Sequence, residues 1–211
     1  MATVNGDSEY RLQFPLKRSR VAVNFFSQKA TLEGHVLVAS PHLDDQQFFQ
    51  TVVLLLQHDE DGAYGVVLNR PMRETVQGLM TKLGVENCRD SRQVLLGGPI
   101  SGAVMALHSA PDCSERCLPG GFHISAQKMN LVQLASNELG FLQFFVGHAG
   151  WEPGQLEEEL RVGMWHVLDF DPRALEEVAP EDLWSLALRE VGRQALEVLN
   201  IRHRPDDPSW N

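Results

Sequence analysis

FVGHAGWEPGQLEEEL, residues 145–160, is the stretch on which the fold turns. An apolar run reaches Gly147, a histidine and a tryptophan stand among glycines, and an acidic block follows Pro153 and Gly154. The order reads as strand, turn and helix. The strand runs from Phe141 to Ala149, and His148 and Trp151 fall in a turn that Gly147 and Gly150 make flexible. Pro153 restricts the residue before it and can stand just ahead of a helix start. Leu156 and Leu160 lie four apart. Glu157, Glu158 and Glu159 sit near that helix's N-terminus, where each negative charge gains about 0.3–1 kcal/mol at best. The acidic run therefore has a structural reason. His148 could serve as a general base, but no partner for it is visible, and packing and turn formation are the preferred roles of His148 and Trp151.

Working outward, "LEGHVLVAS" (Leu32 to Ser40) and "TVVLLLQ" (Thr51 to Gln57) read as strands, the second apolar enough to be buried on both faces. Asp61-Gly62 marks a hairpin into a strand from Tyr64 to Leu68, ended by Asn69, Arg70 and Pro71. Glu74 to Gly84 has helical spacing and a glycine stop. "QVLLGGPISGAVMALHS" reads as strand, tight glycine turn and strand, with Gly97 and Gly98 at positive φ or leaving room for a ligand. A loop carrying Cys113 and Cys117 follows, then a helix capped by Ser125. After the opening stretch come a strand, "MWHVLDF", and helical segments from Pro172 to about Asn200. Hairpins without regular βαβ alternation predict an α+β fold with one domain over residues 31–204, an N-terminal tail or docking arm (1–30) and a C-terminal tail (205–211).

Composition narrows the function classes. The chain has 211 residues, 43% of them hydrophobic, enough for one domain with a sizeable core. Lys and Arg total 18 against 28 Asp and Glu, a net charge of −10, which opposes direct binding to nucleic acid. The only basic cluster is Lys17, Arg18 and Arg20. No signal peptide or membrane span is visible, so a bacterial-type cytoplasm is expected. Three cysteines suggest no disulfide scaffold, and Cys113-x-x-x-Cys117 has neither redox nor zinc spacing, so surface-loop cysteines are expected.

The chemical motifs are incomplete. Gly98-Pro99-Ile100-Ser101-Gly102 puts its serine one position away from a nucleophile elbow. His42, Asp44 and Asp45 in "HLDDQQF" read as a polar loop rather than metal ligands, and "HDEDG" as a hairpin rather than a calcium loop. No P-loop or dinucleotide fingerprint occurs. No metal and no cofactor are expected.

The order of motifs is more specific than any one. "LVASPHLDDQQFFQTVVLLLQHDEDGAYGVVLNRP", then "LLGGPISGAVMALHS", then "GHAGWEPGQLEEEL" resembles the YqgE/AlgH family, also called UPF0301 or DUF179, from about Leu32 to at least Leu188. The resemblance implies a mixed, largely antiparallel sheet forming a pseudo-barrel flanked by helices. It implies no reaction and no catalytic residues, and some members are described as transcriptional regulators. Many members have a tyrosine or another residue in place of His148, which weakens that histidine as a catalytic candidate. The expected function is a non-enzymatic regulatory or binding protein, working through an unknown protein or small-molecule partner. The alternative is an enzyme or sensor for a small anionic ligand. Its site would join Asn69 and Arg70, Gly97 and Gly98, and His148 and Trp151, if those strand ends converge.

Overall fold

The computed structural model describes residues 31–202, apart from 87, 137–139 and 170. The arm, its basic cluster and the C-terminal tail lie outside the described residues. Among the described residues ten strands occur in chain order: β1 (His35–Ala39), β2 (Val52–Asp59), β3 (Gly62–Val67), β4 (Pro71–Thr75), β5 (Gln93–Leu96), β6 (Ile100–His108), β7 (Arg116–Leu118), β8 (Phe122–Ser125), β9 (Leu142–Trp151) and β10 (Trp165–Asp169). Four helices accompany them: α1 (Val76–Lys82), α2 (Lys128–Ser136), α3 (Gln155–Arg161) and α4 (Pro180–Arg202).

The strands join in the order β10-β1-β2-β3-β9-β6-β8-β7, with β4 and β5 branching off β9. The pairings are antiparallel except β5 with β9. The result is a mixed α+β fold whose curled sheet forms a half-barrel.

The curl is made at one glycine corner. Gly147, inside β9, has φ 76°. Before it, Leu142, Phe144 and Val146 face the layer under α1 and α2, while Phe145 faces the barrel interior. After it the parity flips: Ala149 and Trp151 face outward again, toward α3. An extra residue in a strand produces such a flip and bends the strand. β9 can thus pair with β6 through its first part and with β3 through its last, at Ala63↔Trp151 and Gly65↔Ala149. The β5–β6 turn closes on this corner. Gly97 donates to the Val146 carbonyl at 2.8 Å, and Val67 donates to the Gly97 carbonyl at 2.8 Å. A Cβ on Gly97 would stand 2.2 Å from the Gly147 oxygen, and one on Gly98 2.2 Å from the His148 carbonyl carbon. Backbone lies on backbone there, and no side chain fits.

Three apolar layers follow from this geometry. The barrel interior joins Leu54, Val66, Leu107 and Phe145 to Leu183 and Ala187 of α4. On one outer face, Val53, Leu55 and Val67 of the sheet meet Leu156 of α3, Trp151 and Trp165. On the other, Ala106 and Phe144 meet α1 and α2. No helix among the described residues is long and apolar enough to cross a membrane.

Several local expectations are corrected. Trp151 and His148 belong to β9, not to a turn, and the turn comes at Glu152–Gly154. The strand expected over Tyr64 to Leu68 is β3, which ends at Val67, and Pro71 opens the short strand β4. The following helix starts at Val76, capped by Thr75, whose side chain accepts from Gly78 N at 3.2 Å. Ser125 does not cap α2, since it closes β8. The Glu115 carboxylate takes that role, accepting from Gln127 N at 2.8 Å and Ala126 N at 3.1 Å. The helical segment expected from Pro172 is a short 3-10 helix, Pro172–Glu176, separate from α4. Gly98 has positive φ, at 154°, but Gly97 does not. Neither cysteine lies in a surface loop: Cys117 is exposed but belongs to β7, and Cys113 is buried in the layer under α2.

Gly147→Ala, strained at φ 76°, and Gly97→Ala, whose Cβ would stand 2.2 Å from the Gly147 oxygen, should each lower stability in urea denaturation by about 1–3 kcal/mol, with further loss where the clash cannot relax. Gly84, at φ 85° with nothing within 4 Å of a Cβ, supplies the strain-only control. A Gly97→Ala protein as stable as the wild type would remove the corner from this role.

Candidate functional site

The outer face that carries Trp151 also carries an open cleft of about 680 Å³. That lies within the roughly 300–1,000 Å³ of small-molecule sites. Three segments form it: the loop after β1 (Ser40 to Phe48), the end of β9 at Gly150 and Trp151, and the run from α3 into β10 (Gln155 to Trp165).

Its floor is aromatic. Trp151 and Trp165 meet edge to face with ring centroids 5.9 Å apart. Phe48 stands 6.1 Å from Trp151 and 5.6 Å from Trp165. The two tryptophans are 6% and 3% exposed, so their indole N–H groups need partners within the protein. Glu159 supplies both: its Oε2 accepts from Trp151 Nε1 at 2.8 Å and from Trp165 Nε1 at 2.7 Å. Its Oε1 accepts from Gln155 Nε2 at 2.8 Å. Of the three consecutive glutamates, one thus belongs to the cleft. Glu157 instead reaches His58 Nε2 at 2.9 Å, and Glu158 pairs with Arg161 at 2.6 Å.

Four predicted site residues explain how the cleft is held rather than what fills it. Asn69 is buried. Its Oδ1 accepts from Val52 N at 3.0 Å, and its Nδ2 donates to the Gln50 carbonyl at 2.8 Å. Arg70 donates to the Phe49 carbonyl, and burial lowers its pKa from the ordinary arginine value. Together they clamp the segment that presents Phe48, in which Gln50 takes φ 54°. Gly97 and Gly98 make the corner already described. His148 lies on the opposite face from Trp151, its ring 6.3 Å from Tyr64. Asn69, Arg70, Gly97, Gly98 and His148 occupy adjoining chain segments, as Leu96 N donates to the Arg70 carbonyl at 2.8 Å and Ile100 pairs with His148. Of the six candidates, Trp151 alone lines the cleft. His42, Asp44 and Asp45 line it too, yet among the described residues no group of three or more His, Cys, Asp or Glu is arranged to hold a metal ion. Ser101 lies within β6.

Sequence reasoning missed Phe48, Glu159 and Trp165. Phe48 carried one signal, an aromatic residue inside a polar loop.

A second polar cluster resembles catalytic machinery but has the wrong direction of donation. His108 and Ser125 are both fully buried, with Nε2 3.0 Å from the serine Oγ. Ala110 N donates to His108 Nδ1 at 3.3 Å, so the imidazole proton sits on Nε2 and points at the serine. The serine hydroxyl in turn donates to the Cys113 carbonyl. A general base would have to accept from that hydroxyl. The chain of bonds therefore ties β6 and β8 to the turn at Pro111–Cys113. Burial, reinforced by the neighbouring His123, holds the His108 pKa at about 4.

The model of the AlgH-like family DUF179 matches residues 36–196. A UPF0301 protein of Streptomyces avermitilis is 37% identical over 200 residues, covering 88% of this chain and 98% of the relative. One from Shewanella denitrificans is 32% identical over 173 residues, covering 77% and 92%. The solution structure of the AlgH protein from Pseudomonas aeruginosa superposes with TM-score 0.66 at 31% identity, covering 79% of this chain and 92% of that one.

Two outcomes are expected here. Asn69→Ala leaves Val52 N and the Gln50 carbonyl unpaired. It should cost about 1–3 kcal/mol in chemical denaturation and speed hydrogen exchange at Phe48 and Phe49. His108 is the pH-dependent element. Its folded pKa of about 4 lies below the ordinary 6.5, so the unfolded chain binds the extra proton between these values. Its stabilising contribution is complete above pH 6.5 and is lost as pH falls toward 4, by roughly 3 kcal/mol in total. His108→Gln should flatten that part of the stability–pH curve, and an unchanged slope would acquit His108.

Proposed function

Since the chain belongs to the AlgH-like DUF179 family, we propose that it is a non-enzymatic binding protein of regulatory role, with the Phe48–Trp151–Trp165 cleft as its recognition site. One observation carries this reading: a carboxylate held by two indole N–H groups at the floor of an open cleft. Such an arrangement is a prepared surface, apolar below and polar at a few fixed points, as small-molecule sites are. Its Glu159 is occupied as an acceptor, and away from the cleft His108 donates to Ser125, whose hydroxyl donates on to the Cys113 carbonyl, so neither group forms a nucleophile–base pair. A protein or small-ligand partner suits the net charge of −10 better than DNA does. The anionic-ligand alternative rests on Arg70, whose guanidinium is engaged with the Phe49 carbonyl.

A thermal-shift screen against metabolites of mixed charge tests the cleft. A ligand at a hundredfold excess over its Kd adds about 2.7 kcal/mol. That raises the midpoint of a domain this size by roughly 5–10 °C. The shift should vanish in Phe48→Ala protein that melts normally on its own. A shift that survives Phe48→Ala and disappears in Arg70→Ala would move the site to the Arg70 segment and overturn the cleft assignment.

A further inference from the structure

The charge of the cleft is one-sided. Its lining includes the carboxylates of Asp44, Asp45 and Glu159 and no lysine or arginine. These carboxylates are differently employed. Glu159 is bound to the indoles, and Asp45 Oδ1 accepts from Gln47 N at 2.7 Å and Phe48 N at 3.1 Å. Asp44 makes no hydrogen bond or ion pair with any described residue, although it borders the same space. Beside these acids the wall is apolar and open to solvent: Val162 is 50% exposed and Met164 40%.

A carboxylate without a partner among the described residues, two further acids, an aromatic floor and an exposed apolar wall suit one kind of ligand. We propose that the cleft binds an organic cation, an alkylammonium or guanidinium group on an apolar stem, with its head toward Asp44 and Glu159 and its stem along Val162, Met164 and Phe48. This rests on the cleft being the recognition site and adds the ligand's chemical class. An anion would meet three like charges there, whereas a cation gains Coulomb attraction and contact with Phe48, the part-exposed ring of the floor. The apolar stem is needed because the head group alone would leave the Val162–Met164 wall in water. The same head could arrive on a free metabolite or on an arginine or lysine of a peptide.

The test uses the full-length chain, with intrinsic tryptophan fluorescence and calorimetry as readouts. The probes are agmatine and choline as cations, butanol as a neutral stem, citrate as an anion, and the blocked tripeptide acetyl-Gly-Arg-Gly-amide. Saturable binding of a cationic probe is expected, weakening as salt rises because surface charge pairs are screened. Asp44→Asn should weaken it about fivefold, the upper range for an exposed ion pair. Because Asp44 bonds to no described residue, that variant should melt like the wild type. Agmatine tighter than the tripeptide would identify a free cation as the source, and the reverse order a chain-borne side chain. Binding of butanol or citrate that perturbs the tryptophans and is lost in Phe48→Ala, with no response to either cation, would overturn the charge assignment and leave the cleft standing. No response to any probe, together with an empty thermal-shift screen, would overturn both.

Discussion

The contact of bare backbone between Gly97, Gly98 and Gly147 is the constraint on which the rest of the structure depends. At Gly147 the outward-facing parity of β9 reverses, so one strand can serve two differently directed parts of the sheet. Without that reversal Trp151 would project into the barrel interior and His148 toward α3. The corner must be narrow as well as bent, because Gly97 bridges the Val146 carbonyl and Val67 N across it. Glycine at these positions answers a steric demand of the fold and requires no ligand to explain it.

The same logic reassigns the "Leu-Asn-Arg-Pro" motif. Asn69 and Arg70 spend their polar groups on three backbone groups, Val52 N, Gln50 O and Phe49 O. Each lies in or beside the segment that presents Phe48. The motif thus acts on the cleft at one remove, through the backbone it holds. Trp184 of α4 acts comparably, donating from Nε1 to the Ala39 carbonyl at 2.8 Å where β1 leads into that segment.

Much of the fold was legible. The continuous apolar run of β2, the Asp61-Gly62 hairpin and the Leu156–Leu160 spacing each carry a local signal that the tertiary structure leaves in force. What escaped was either short or decided at a distance. β4, β7 and β8 have three to five residues, too few for a period to declare itself. Ser125 has every local mark of a cap, but a buried histidine on β6 claims its hydroxyl. His148 and Trp151 looked like turn residues because the glycines around them mark a bent strand as readily as a turn. The site was harder still. Glu157, Glu158 and Glu159 are chemically identical in the sequence, and only the angle of α3 over the sheet decides which one meets the indoles.

The clamped Phe48 segment has a kinetic consequence. Its carbonyls at Phe48, Phe49 and Gln50 are already bonded to Thr51, Arg70 and Asn69. The entropy of ordering the segment is therefore lost on folding, not when a ligand arrives. A ligand of the proposed cleft would meet a wall already in place, so its capture would be governed by diffusion and charge steering rather than by loop closure. Residence time would then be set by the contacts in the cleft itself, and loosening the clamp would change the rate of capture first.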